Sequence, residues 1–224
     1  MGRNLTFAPG EFYHVYNRGT EKRNIFSLKA DYERFITLLY VGNGTNPVHL
    51  QLQGSTLKEA LKVDRGEPLV DIGAYCLMPN HFHLLVRERE KGGVSRFMQK
   101  LLTGYTMYFN KRHQRTGALF QGKFKVVHAG EDTYLKYLLS YIHLNPIKII
   151  DPKWKENGIA SRSRAETFLE EYSYSSFTDF LGKERAEKII INKESLPDYF
   201  ETQDSFRQTL ADWMDLKDNF KVEP

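Results

Sequence analysis

The chain has 224 residues, 41% of them apolar and 27% charged, with a net charge of +4, a balance that points to neither disorder nor a membrane span. That length suffices for one sizeable core, and the longest apolar runs fall far short of the roughly 20 residues that a bilayer crossing needs. Cys76 is the only cysteine, which excludes an internal disulfide and a cysteine-based zinc cluster; with no secretory signal ahead of Phe12, the expected compartment is a reducing cytoplasm.

Residues 11–18 (EFYHVYNR) are aromatic and β-branched and end at Gly19, the pattern of a first strand. Over residues 31–41, Tyr32, Phe35, Ile36, Leu38 and Leu39 form one apolar side that Gly42 ends, which predicts a helix. Residues 42–68 read as an inserted loop with a short helical piece at 57–63, opened by a capping box of Thr56 and Glu59. Strands are expected at 69–78 and 81–87, joined by the turn-forming pair Pro79-Asn80. The clearest helix follows, because Val94, Phe97, Met98, Leu101, Leu102, Tyr105, Tyr108 and Phe109 recur at three- and four-residue spacing. Residues 119–128 read as a fourth strand, and a helix opened by Glu131 or Asp132 runs to Asn145, where Pro146 is expected to stop it.

Strand, helix, strand, strand, helix, strand is the order of the α+β ferredoxin-like βαββαβ plan, an antiparallel sheet with helices on one face, here with one further helix. Residues 1–150 are expected to form this main domain, with the insertion at about 42–68. Residues 151–224 carry EEYSYSSF and a late amphipathic helix marked by Phe206, Leu210, Trp213 and Met214, and read as an extension packed on the core.

Charge is distributed unevenly. Between Arg87 and Lys125 ten cations stand against two acids, whereas from Glu194 onward eight acids stand against three cations. A basic middle suits a polyanion such as nucleic acid, whose neutralised phosphates release counterions, although a solvated helix face produces the same pattern. Lys100, Lys111, Arg112, Arg115, Lys123 and Lys125 are the candidate contacts to a nucleic-acid backbone. Phe97, Tyr105, Tyr108 and Phe109 lie on the apolar stripe and read as core. On the first strand Arg18, with His14 and Asn17, joins the candidates, but alternation divides these three between two faces.

Alternation also puts His81 and His83 on one strand face, about 7 Å apart, a spacing that suits chelation of one cation. A lone His-x-His pair equally suits two satisfied core histidines. At 100° per residue, Tyr134, Tyr137, Tyr141 and Asn145 fall within about 80° of arc on the helix after Asp132. Buried tyrosines normally fill cores with their hydroxyl paired. Tyr141 stands out because Asn145, one turn later, offers an amide oxygen to a metal beside the phenol. A phenol ionises near pH 10, so it attacks a phosphate at neutral pH only with help from a cation that polarises the phosphate.

Four ordered stretches, YHVYNRG (13–19), YCLMPNHFHLLV (75–86), TGALFQGKFK (116–125) and YLLSYIHLNPIK (137–148), resemble the REP-associated tyrosine transposases, which belong to the HUH single-tyrosine transposases of small insertion sequences. The resemblance implies that Tyr141 is the catalytic tyrosine and that His81, His83 and Asn145 hold Mg²⁺ or Mn²⁺; many relatives carry glutamine where this chain has the shorter Asn145. It implies a substrate too, hairpin-forming single-stranded DNA, cut and rejoined through a 5′-phosphotyrosine by a monomer or a homodimer. Two other readings stand beside it: a palindrome-binding protein that does not cut, and a metal-dependent nuclease in which water attacks.

Overall fold

Two strands rich in branched and aromatic residues, β1 (Phe12–Arg18) and β3 (His81–Glu88), pair antiparallel at the centre of a four-stranded sheet, flanked by β2 (Val70–Met78) on β3 and β4 (Lys125–His128) on β1. The computed structural model describes residues 6–47, 56–198 and 202–215. Every pairing is antiparallel, and the order β2-β3-β1-β4 is the one that the βαββαβ plan requires.

Helices α1 (Lys29–Val41) and α3 (Gly93–Arg112) cover the sheet face that carries Phe82, Leu84 and Val86; the Phe35 ring lies 5.1 Å from Phe82 and 4.9 Å from Tyr105. One buried carboxylate ties the two helices together. Asp31 Oδ2 accepts the Ser27 and Leu28 amides at 2.9 Å each, capping the start of α1, while Oδ1 accepts the Tyr108 hydroxyl at 3.2 Å from α3. A carboxylate there is favoured by the unpaired amides and the positive end of the helix dipole.

The loop between α1 and β2 contains α2 (Leu57–Ala60), opened by the expected capping box: the Glu59 amide donates to Thr56 Oγ1 at 3.3 Å and the Thr56 amide to Glu59 Oε2 at 3.0 Å. Residues 48–55 of the predicted insertion lie outside the described residues. Its start is anchored by buried Asn43, whose Oδ1 accepts the Leu69 and Val70 amides at 3.0 Å each.

Two boundaries differ from expectation: the helical piece expected at 57–63 stops at Ala60, and the fourth strand is shorter than 119–128. The fourth strand is confined to residues 125–128: Phe120 makes only an isolated bridge to Gly19, and Gly122, at φ 70°, turns the chain out of the ladder between them. Helix α4 (Asp132–Leu144) stops ahead of Pro146 as expected, with Asn145 as its cap. Asn145 and Pro146 nevertheless keep right-handed helical angles, and α5 (Ile147–Ile150) follows with Pro146 as its N-cap, where a missing amide costs no hydrogen bond within the new helix.

Helix α4 lies on the face opposite α1 and α3, and from Tyr137 to Leu144 every residue is buried. Its outer side is closed by the chain beyond residue 150, which forms α6 (Trp154–Asn157), α7 (Arg162–Glu171), α8 (Phe177–Phe180) and α9 (Gln203–Asp215). Trp213 of α9 packs at 5.1 Å on Tyr137, and His143 hydrogen bonds to Ser176 Oγ at 2.8 Å. Residues 174–176 run along the outer edge of β2, with the Leu77 amide donating to Tyr174 and the Ser176 amide to Tyr75, so that edge is not left open. Among the described residues no helix is long and apolar enough to cross a membrane.

The clamp on β2 depends on a buried ion pair. Arg185 reaches the fully buried Asp179 with Nε at 2.7 Å from Oδ1, and its Nη2 donates to Tyr75 Oη at 3.0 Å. Arg185→Ala leaves the Asp179 carboxylate buried without its partner and is expected to cost about 3–5 kcal/mol, read as a lowered midpoint in urea unfolding. Glu184→Ala, which removes only an exposed pair with Lys188, should shift that midpoint by little.

Candidate active site

The turn between β2 and β3 delivers the first histidine in a fixed protonation state. Asn80 Nδ2 donates to the Lys22 carbonyl at 3.3 Å, which points its Oδ1 at His81 Nδ1, 2.6 Å away. An amide oxygen only accepts, so His81 carries its proton on Nδ1 and keeps the lone pair of Nε2 available. Two residues on, His83 is wholly buried; its Nδ1 meets His14 Nε2 at 2.9 Å, and its Nε2 has no hydrogen-bond partner among the described residues. The two β3 imidazoles stand nearly perpendicular, centroids 4.9 Å apart.

Tyr141 comes to them from α4. Its ring meets His83 edge-on at 5.3 Å and His14 at 6.1 Å. Asn145, at 1% exposure, is buried one turn later, and neither atom of its amide makes a hydrogen bond of acceptable geometry, although the group lies close enough to His81 to favour the charged form of that imidazole. Orphaned buried polar atoms cost about 1–3 kcal/mol each, so they persist where something else compensates.

Electrostatically the site is a set of neutral bases within a cationic surround. Burial pushes His81 down to about 3, helped by the charges of Lys148 and Arg18, and burial alone does the same to His14. His83 is held well below the ordinary value of 6.5 by burial, then by His81, His14, Lys148 and Lys155. Lys155 of α6 stands over the Tyr141 ring, Nζ 4.1 Å from its centroid. The two β3 histidines are therefore uncharged at neutral pH, amid positive charge that suits a phosphate.

Those donors fit a divalent cation. Among the described residues no group of three His, Cys, Asp or Glu side chains is arranged to hold a metal, so a third protein donor has to be something else, and the unpartnered Asn145 amide is at hand. Two imidazole nitrogens and one amide oxygen suit Mn²⁺ or Mg²⁺ with positions left for phosphate oxygens and water, without distinguishing between the two ions.

The predicted DNA contacts separate into groups. Arg18 lies opposite His81 in the β1–β3 register, and Lys125 lies opposite Tyr16, itself opposite His83, so both strands direct cations to the histidine face; Lys123 is exposed just ahead of β4. Lys111, Arg112 and Arg115 gather at the end of α3, which covers the other face; Arg112 is 3.9 Å from Asp31 and Arg115 bonds to Asn110 Oδ1 at 2.9 Å. Lys100 is engaged elsewhere, donating to the carbonyls of Gly44 and of Asn46, the latter at 2.7 Å. Of the first-strand trio, His14 and Arg18 share the site face while Asn17 turns away, its Nδ2 donating to the Gly122 carbonyl at 3.3 Å. Lys148 and Lys155 were not among the candidates. Lys148 ends the YLLSYIHLNPIK stretch and could have been drawn from it; Lys155 follows a chain reversal at Pro152, where no periodicity links it to Tyr141.

Comparison with known proteins bears on this arrangement. Residues 51–145 match the family model described as transposase, IS200 like, a span that contains His81, His83, Tyr141 and Asn145 but neither β1 nor the chain after Asn145. No curated protein matches. A solved REP-associated tyrosine transposase bound to a REP hairpin is similar in fold, with a TM-score of 0.54 and 11% identity, covering 84% of this chain and 90% of that one.

Buried neutral histidines make stability depend on pH. Unfolded, each takes up a proton below about 6.5; folded, His14, His81 and His143 resist protonation down to about 3. The unfolded state therefore binds more protons in that window, and stability is expected to fall as pH drops from 6.5 toward 3, by up to about 1.4 kcal/mol per pH unit for each histidine. Urea titrations of the metal-free chain at pH 7, 6, 5 and 4 read the slope, and His143→Gln should make it shallower.

Proposed function

We propose that the chain cuts and rejoins single-stranded, hairpin-containing DNA, with Tyr141 as nucleophile and Mg²⁺ or Mn²⁺ held by His81, His83 and Asn145, a reading supported by the match of residues 51–145 to the IS200-like transposase model. The observation that carries this reading is the packing of the Tyr141 ring 5.3 Å from His83, whose Nε2 has no hydrogen-bond partner among the described residues. All of these side chains belong to one chain, so a monomer suffices for cutting. The work is done on cytoplasmic DNA. A hairpin is the substrate class because the structural neighbour holds a REP hairpin on a similar fold.

When bound, the cation would polarise a non-bridging phosphate oxygen and offset charge that builds up in the transition state. Tyr141 Oη attacks the phosphorus in line, its proton passing to solvent; the bond from phosphorus to the 3′ oxygen breaks, and that oxygen takes up a proton to leave as a 3′ hydroxyl. The 5′ phosphate stays on the tyrosine, and attack by a 3′ hydroxyl reverses the step without ATP. Lys155, over the phenol ring, and Lys148 supply positive charge where the phosphate approaches, while Arg18, Lys123 and Lys125 carry the strand across the sheet end by phosphate contacts.

The test is incubation with labelled hairpin single strands and Mg²⁺ or Mn²⁺. A covalent protein–DNA adduct is expected, abolished in Tyr141→Phe with hairpin binding retained; an undiminished adduct in that variant overturns the assignment of the nucleophile. Salt-sensitive hairpin binding with no wild-type adduct under either metal would instead favour a palindrome-binding protein that does not cut. Lys155→Ala is expected to slow adduct formation on the order of 10- to 100-fold while changing hairpin affinity far less.

A further inference from the structure

Resting on the metal reading above, we infer that His14 is a positioning residue for that site: it accepts the Nδ1 proton of His83 and so leaves the lone pair of His83 Nε2 for the metal. The contact is specific. His14 Nε2 and His83 Nδ1 are 2.9 Å apart, both rings are wholly buried, and the two stack with centroids 5.1 Å apart at 19°.

Two neutral arrangements satisfy that contact. In one, His14 Nε2 donates to His83 Nδ1, and His83 must then carry its proton on Nε2, where it blocks ligation. In the other, His83 Nδ1 donates to His14 Nε2, and His83 Nε2 bears a lone pair. Each leaves the same two ring atoms, His14 Nδ1 and His83 Nε2, without a partner among the described residues. The hydrogen-bond count therefore does not choose between them. A cation at His83 Nε2 does, because it takes only the lone-pair form.

His14 then does for His83 what Asn80 does for His81. Asn80 Oδ1 fixes the Nδ1 proton of His81 at 2.6 Å, so both members of the pair are turned to offer Nε2, one by an amide on the turn and the other by an imidazole on the neighbouring strand. His14 is itself held by stacking on Tyr16 at 4.7 Å and by the edge of Tyr141 at 6.1 Å. It is not a third ligand, since its Nε2 is committed to His83 and the described residues contain no metal-binding group of three such side chains.

The test uses the full chain. Ring ¹⁵N spectra of histidine-labelled protein with Mg²⁺ should show His83 protonated on Nδ1; protonation on Nε2 in that sample overturns the inference and needs no variant. Titration with Mn²⁺, followed by the electron paramagnetic resonance of the free ion, should show affinity falling on the order of 10- to 100-fold in His14→Leu. Most of that loss should return in His14→Gln, whose amide oxygen can accept the same proton. Wild-type affinity in His14→Leu, or an equal loss in both variants at equal melting temperature, overturns the role assigned to His14 and leaves the metal reading intact. Failure of the wild type itself to bind Mn²⁺ overturns the metal reading and this inference with it.

Discussion

The register between β1 and β3 is the constraint on which the site depends. With Arg18 opposite His81, Tyr16 opposite His83 and His14 opposite Leu85, one sheet face collects a cation, two imidazoles and the rings that orient them. A slip of one residue would turn His14, Tyr16 and Arg18 into the face packed against α1 and α3, and bring Asn17 and Val15 up in their place. What resists the slip is the packing of the other face, where Tyr13, Val15, Phe82, Leu84 and Val86 are buried to within 1%. Apolar burial on one side of the sheet thus fixes the chemistry on the other.

The second half of the site arrives on a helix that is covered all round. A helix buried on every side between Tyr137 and Leu144 cannot rest on a single amphipathic stripe, and α4 indeed has two supports: the sheet beneath and the chain after residue 150 above. Within that layer His143 Nε2 is paired with Ser176 Oγ, in a ring of Phe177, Phe180 and Phe206. The continuation of helical angles through Asn145 and Pro146 has its own consequence. Had the chain broken at Pro146, as the residue type suggested, Asn145 would have been free to leave the face that it shares with Tyr141; kept helical, it stays one turn from the phenol, and Lys148 follows toward the histidines.

Periodicity makes much of this legible in the sequence. Alternation placed His81 and His83 together, 100° steps placed Tyr141 with Asn145, and the element order indicated the sheet. Local patterns were less informative where backbone geometry at single residues decided the outcome: Gly122 bends the chain away before β4, and helical angles continue through Pro146 into α5 after α4 has ended. Contacts between segments distant in sequence left no periodic trace. Lys155 reaches Tyr141 only after a chain reversal, and the His14–His83 contact spans 69 positions and depends on a register that alternation alone does not define. The basic middle of the chain was visible as a charge run, but its division between the two faces of the sheet follows from α3 and the β1–β4 edge lying on different sides.

The site is also a place where stability has been given up. Burial holds His14, His81 and His83 below the ordinary imidazole value, and polar atoms on His14, His83 and Asn145 have no hydrogen-bond partner among the described residues. A core built for stability alone would replace these with apolar groups of similar shape, since a half-satisfied polar network is worse than none. They make sense if the missing partner is supplied from outside. Ligation by a cation would satisfy His83 Nε2 and the Asn145 amide oxygen together, and whatever binds the folded chain but not the unfolded one stabilises the fold by mass action. The neutral imidazoles contribute no charge of their own, so a divalent cation would add its full charge to that of Arg18, Lys148 and Lys155. The local field would then be strongest in the state that receives a phosphate, and binding of the polyanion would in turn favour retention of the cation.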